Sequence, residues 1–385
     1  MRAVVCGAGI AGLALALELD AAGADVLLLE KSPGLRAQGY MIDFFGPGYD
    51  VAEAMGLLPR LRRLGRDIEE LTFRDQHGRR RAGMRYGQFA KVLDGRLLGL
   101  MRTDLEETLF DSLSARVDVR FDTTVESLVN GPDGVRVGLT GGETVSAELL
   151  VGCDGIHSRV RRLAFGDESE YLRYLGFQTA AFVFEDPDVR AAVGGEFCMT
   201  DTVQRAMGFY GLTDTRVAIF AIHRSPDPVL PLGARSALRQ EYASLGWLAP
   251  RALAACPASE EVYYDQVALI EMPCWSRQRV ALVGDSCAAV SLLGGQGASL
   301  AMAGASILAR QLANDASVES ALHRYEQRLR PAVTRTQRSA RRAMRWFLPA
   351  NPVELQARRA ALKLGQLPVL DRYVARAFLG KPSPV

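Results

Sequence analysis

The first thirty residues constrain the chain most. Arg2-Ala3-Val4-Val5-Cys6 is a short apolar run that meets Gly7-Ala8-Gly9-Ile10-Ala11-Gly12, then a helical pattern, then a second apolar run, Val26-Leu27-Leu28-Leu29, closed by Glu30. The order is strand, glycine turn, helix, strand, acid. In such a turn the first glycine permits a tight reversal, the second lets backbone N–H groups approach a pyrophosphate, and the third allows close helix–strand contact. Ile10, Leu13, Ala14 and Leu17 recur at helical spacing, so the helix N-terminus points at the turn as an anion site. Glu30 is placed to accept hydrogen bonds from a ribose. A lone glycine fingerprint also fits an ordinary strand-to-helix turn; the full context favours a dinucleotide.

A chain of 385 residues is long for one domain, so two domains are expected. Forty-six basic against forty-four acidic residues leave a formal charge of +2, which supplies no field to attract nucleic acid or an anionic membrane. No apolar run reaches the length of a membrane span. The six cysteines show no paired spacing and the four histidines no metal-ligand interval, which points to reduced thiols, a cytoplasmic setting and no structural metal.

After Glu30 and Lys31, Arg36 could meet an anion and Gly39 could let backbone pass a ligand; a solvated arginine and a turn glycine fit equally. Residues 51 to 64 read as one helix. Thr103 and Glu106 have the spacing of a capping box, with Arg102 just before it aimed at the glycine turn. Val125 opens a three-stranded meander. Leu149-Leu150-Val151-Gly152-Cys153-Asp154-Gly155 then runs an apolar strand into an aspartate, which suits a ligand edge or a plain turn; His157 reads as a surface histidine.

From residue 171 to 272 the texture changes to strands with one helical interlude, 234 to 244, as in an inserted antiparallel sheet. Both alternating faces of Val217-Ala218-Ile219-Phe220-Ala221-Ile222 are apolar. Phe182, Met207, Phe209 and Phe220 are therefore either internal packing or an apolar substrate wall. A third strand, Val280-Ala281-Leu282-Val283, ends in Gly284-Asp285 and leads to Gly297-Ala298-Ser299 at the start of a small-residue helix. Pro349 and Pro352 end the long amphipathic helix that follows, and a short helical tail closes the chain.

Gly7-x-Gly9-x-x-Gly12, Asp154-Gly155 within VGCDGIHSRVR, and Gly284-Asp285 within RVALVGDSCAAVSLLGGQGASLA, in this order, resemble the single-component flavoprotein aromatic hydroxylases of the para-hydroxybenzoate hydroxylase type, over the chain to about Phe347. The resemblance implies an α/β fold: a Rossmann-like FAD-binding domain (1–71, 98–170, 273–347), an inserted antiparallel-sheet substrate domain (72–97, 171–272) and a C-terminal helical tail (348–385). It implies FAD, with the pyrophosphate at Gly7, Ala8, Gly9, Ile10, Ala11 and Gly12, the ribose at Glu30, and the phosphate and ribityl region at Arg102 and Asp285. Asp154 and Gly155 would serve FAD and the nicotinamide, and Gly297, Ala298 and Ser299 the flavin pyrimidine edge; Lys31, Arg36 and Val125 complete the set. NADH or NADPH would act as a transient reductant near Asp154, Arg159 and Arg161. O2 would form a flavin hydroperoxide that hydroxylates a small aromatic or polycyclic substrate, with no catalytic nucleophile or metal, in a monomer or homodimer. Where the family usually shows Ala-Ala-His and prolines, this chain has Ser286-Cys287-Ala288 and Val290-Ser291-Leu292. A dehydrogenase that inserts no oxygen and a non-catalytic flavin-binding protein are the rival readings.

Overall fold

The computed structural model describes residues 1–36, 38–291 and 295–364. Its first layer is a six-stranded sheet centred on Arg2–Cys6, flanked in parallel by Asp25–Leu29 and Leu149–Gly152, with Val280–Leu282 beyond the latter. Asp118–Arg120 and the antiparallel Ser276–Arg277 form its edges. The continuous apolar runs read in the sequence are explained by this position, because a central parallel strand is covered on both faces. Val4, Val5, Leu28 and Leu150 are fully buried.

Parallel pairing also brings the three motifs together, since Gly7, Asp154 and Asp285 all follow the carboxyl ends of neighbouring strands. Helix Ile10–Ala21 packs against helix Gly297–Asn314, and the small residues of the second make that approach possible. Val125–Asn130, Val135–Leu139 and Thr144–Ala147 form the expected meander.

The second layer is a seven-stranded sheet, in spatial order Tyr263–Ile270, Leu172–Glu185, Arg216–Arg224, Arg205–Gly211, Phe197–Thr200, Glu70–Arg74 and Arg80–Arg85. All its pairings are antiparallel except that of Phe197–Thr200 with Glu70–Arg74. A two-stranded ribbon, Met41–Phe45 with Leu97–Met101, accompanies the two sheets. The mixed α/β class is the one expected.

Local expectations fail in three places. Residues 51 to 64 are not one helix: Pro47–Ala54 and Leu58–Leu64 are separated at Gly56, whose φ of 73° ends the first. The inserted region holds three helices rather than one, Pro187–Val193, Ala234–Glu241 and Ala249–Ala254. The first was legible in Asp186-Pro187, because Asp186 Oδ1 accepts from the N–H groups of Asp188 and Val189 at 3.1 and 3.0 Å, and proline suits the first helical turn. The capping box does not form, since helix Arg102–Phe110 starts two residues earlier than a Thr103 cap requires, with Met101 at the cap position and no side-chain cap.

Helix Val318–Phe347 is followed by a tail helix, Pro352–Leu364; the expected tail from 365 to 385 lies outside the described residues. Among the described residues no helix is long and apolar enough to cross a membrane.

Candidate active site

The glycine turn is held by contacts that side chains would destroy. Gly7 has a φ of 107°, and a Cβ there would lie 2.6 Å from the Cys153 carbonyl oxygen. One at Gly12 would lie 1.8 Å from the Gly7 carbonyl oxygen. Gly9 differs, because its Cβ position meets only Glu106 Oε1 at 3.4 Å and Arg102 Nη2 at 3.6 Å. Gly7 and Gly12 are thus required by the fold, while Gly9 keeps a surface bare.

That surface opens on a cavity of about 90 Å³ lined by Gly7, Ala8, Gly9, Glu30, Lys31, Arg36, Arg102, Glu106, Asp154 and Gly155, among others. Ile10 and Ala11 begin the helix behind it. Glu30 is buried, and its carboxylate accepts from the Ala8 N–H at 2.9 Å and the Ser32 N–H at 3.0 Å. It therefore shapes the turn as well as presenting charge. Glu30→Ala is expected to weaken FAD binding by about 1.5–3 kcal/mol through loss of charge-assisted bonds, measured by flavin fluorescence titration; affinity equal to the parent would contradict this role.

Asp154 spends its carboxylate on the next helix. Oδ1 accepts from the Ser158 hydroxyl, and Oδ2 from the N–H groups of Arg159 at 2.7 Å and Val160 at 3.0 Å. Burial raises its pKa against these bonds. Gly155 has a φ of 80°.

Arg161, expected beside the nicotinamide, is instead fully buried. It donates to the carbonyls of Ser286 at 2.8 Å and Ile156 at 2.7 Å and pairs with Glu168 at 2.8 Å. It is a strut between two of the motifs, which removes it from the nicotinamide surface; Arg159 is exposed.

His157 is exposed, as the sequence reading has it, and bridges two elements. Nδ1 lies 3.0 Å from Glu168 and Nε2 3.1 Å from Asp265 of the seven-stranded sheet. The Asp265 hydrogen bond, opposed by partial burial and aided by Glu168, raises its pKa to about 9. A raised histidine contributes stability fully below its unfolded value, about 6.5, and loses it as pH rises through about 9. The parent's melting temperature should therefore fall between pH 7 and 9.5 by more than that of His157→Gln; parallel profiles would contradict the bridge.

Arg102 stands at the cradle, 2.7 Å from Glu106. Burial opposes its charge, but Glu106, Tyr40, Tyr263 and Asp285 together raise its pKa. Asp285, although open to water, is pushed above the ordinary carboxylate range by the protein around it, with Arg102 opposing. Tyr40 and Tyr263 bring their rings within 5.3 Å across the boundary between the sheets. Burial pushes Tyr40 up to about 12. At the far end Ser299 is buried and its hydroxyl accepts from the Gly48 N–H at 2.8 Å; Gly297 and Ala298 begin the same helix. Val125 is a fully buried core residue; its neighbour Thr124 lines the cavity. Leu292, in the departing loop, lies outside the described residues.

The pleat separates the four apolar candidates. Phe182, Met207 and Phe209 share a core with Val189, Leu238 and Tyr242, under the helices of the inserted region. They are internal packing, which corrects the expectation of a four-residue wall. Phe220 faces the other way, with Phe73, Met84, Met101, Met199 and Tyr210. Apolar residues on both faces made the two sets indistinguishable in sequence. Two polar groups that the sequence reading does not single out lie beside this face. Tyr210 accepts from the Met41 N–H at 2.7 Å, and Asp43 has an Oδ1 that is sealed from solvent without a hydrogen-bond partner. Burial raises Asp43 to about 6. A lone acid inside an apolar strand was the available signal.

The profile of the FAD binding domain family matches residues 1–340. The chain belongs to this family. An uncharacterized protein of Mycobacterium tuberculosis is 33% identical over 324 residues, covering 80% of this chain and 84% of that one. A flavin-dependent monooxygenase of Legionella longbeachae is 28% identical over 342 residues, covering 88% and 87%. Among solved structures, tetracycline destructase Tet(51) superposes with a TM-score of 0.82 at 25% identity over 100% of this chain and 99% of that one. HpxO of Klebsiella pneumoniae, complexed with FAD and uric acid, gives 0.80 at 22% identity, covering 97% of each, and supports the fold.

The chain is thus an FAD-dependent monooxygenase of this family, and its cradle fits the cofactor. The Gly9 surface is bare, and helix Ile10–Ala21 has neither a side-chain cap of its own nor an acid in its first turn, which leaves N–H groups for a pyrophosphate.

Proposed function

We propose that this monooxygenase consumes NADH or NADPH and O2 to hydroxylate a small aromatic or polycyclic compound held between the seven-stranded sheet and the dinucleotide half. The observation that carries the reading is the apolar sheet face of Phe73, Met84, Met199, Phe220 and Ile222, which packs with Met101, the residue before Arg102, and with Met41. When bound, FAD supplies the electron transfer from nicotinamide and the oxygen chemistry. The chain's own part is to position and to exclude water. Methionines adapt to irregular ring systems, Tyr210 can donate its hydroxyl proton, and Asp43 can hold or release one near neutral pH. The single strand–glycine–helix unit is committed to FAD, so the nicotinamide is expected to bind weakly and leave.

The test is product mass under 18O2. Tetracycline and uric acid, named with the relatives, join phenols and polycyclic aromatics in the panel. One 18O atom per turnover is the expected result; oxidation of these compounds without oxygen gain would overturn the hydroxylation reading. Phe220→Ala should raise KM about tenfold, the share of one aromatic contact; a lower melting temperature with unchanged KM would assign Phe220 to packing.

A further inference from the structure

Helix Ile10–Ala21 carries no cap of its own, yet a carboxylate reaches its first turn from another element. Glu106, on helix Arg102–Phe110, brings Oε1 to 3.4 Å from the Cβ position of Gly9, the residue that precedes the helix, and that oxygen is sealed from solvent without a hydrogen-bond partner. It also pairs with Arg102 at 2.7 Å, with only 4% of its side chain exposed. Both groups of that pair stand over Gly9, at 3.4 and 3.6 Å from its Cβ position. This is the surface that a glycine fingerprint leaves free for a pyrophosphate.

Glu30 lines the same cavity but bonds to Ala8 and Ser32, within the turn and the loop that follows. Glu106 holds an arginine and stands beside the end of a helix, two features that a phosphate would use. Burial raises the pKa of Glu106, Arg102 and Arg36 oppose this, and Glu30 adds to it.

We propose that Glu106 is a built-in anion that stands in the phosphate cradle and surrenders Arg102 and the approach to Gly9 to the pyrophosphate of FAD, setting cofactor affinity by competition. Arg36, exposed on its loop and lining the same cavity, is a cation that can receive the displaced carboxylate. The proposal rests on FAD binding and is independent of whether any substrate gains oxygen, so the two can fail separately.

The full-length chain, stripped of flavin, is titrated with FAD and followed by quenching of flavin fluorescence. Glu106→Gln keeps the size of the side chain and removes the competing charge, so FAD should bind about tenfold more tightly. The variant should also melt lower than the parent without FAD and gain more from adding it. Equal or weaker FAD binding would overturn the proposal, because Glu106 would then be a prop that holds Arg102 in place. A second comparison removes that prop function: Arg102→Gln alone against the double variant Arg102→Gln, Glu106→Gln. Tighter binding by the double variant supports competition, and equal or weaker binding overturns it.

Discussion

Gly9→Val should give folded protein that purifies without colour. A Cβ at Gly9 makes only ordinary contacts in the cofactor-free chain, at 3.4 and 3.6 Å, so the fold has no reason to reject it. The branched side chain would nevertheless stand over the N–H groups that a pyrophosphate must approach. Loss of two charge-assisted hydrogen bonds costs about 4 kcal/mol, roughly a thousandfold in affinity. Circular dichroism and flavin absorbance measure the two halves of the expectation. Native-like flavin content would refute it. Gly12→Ala is the contrast, because its Cβ would fall 1.8 Å from backbone oxygen and the turn itself must break.

Asp201→Ala should cost about 3–5 kcal/mol of stability, the usual result of stripping one partner from a buried ion pair. Asp201 is fully buried and pairs with Arg358 at 2.9 Å and Arg359 at 2.5 Å, both on the tail helix. Arg358 also lies over the Phe73 ring, 4.4 Å from its centroid, and donates to the Phe347 carbonyl at 2.8 Å. Removal of the acid leaves a buried guanidinium without its counter-charge and frees the tail helix from the sheet. A much lower melting temperature, with protease cutting first after Phe347, is the expected outcome. A fall below about 1 kcal/mol would show the pair to be replaceable by solvent.

What could be read beforehand divides along the range of the forces involved. The glycine turn, Glu30 and the strand-end aspartates are constrained by neighbours a few residues away, and parallel strands place their ends together by geometry alone. Arg102 was aimed correctly for the same reason. Arg161 differs, because a basic residue at a helix start looks solvated in sequence, and only the fold places the Ser286 carbonyl beside it. Glu106 has the spacing of a capping box and of an i, i+4 pair with Arg102, and local sequence does not choose between them. Phe182 and Phe220 are alike in composition and differ only in pleat, which the strand partners decide.

The position of Arg2–Cys6 at the middle of its sheet has a consequence for synthesis. This strand acquires one neighbour early, Asp25–Leu29, but its other neighbour is Leu149–Gly152, and Val280–Leu282 joins beyond that. Until Leu149–Gly152 has been made, the glycine turn hangs from a strand with a bare edge. Flavin capture therefore waits for the later strands that bring Asp154 and Asp285 to the turn, and the nascent segment before Leu149 is the stage that depends on protection from edge-to-edge association.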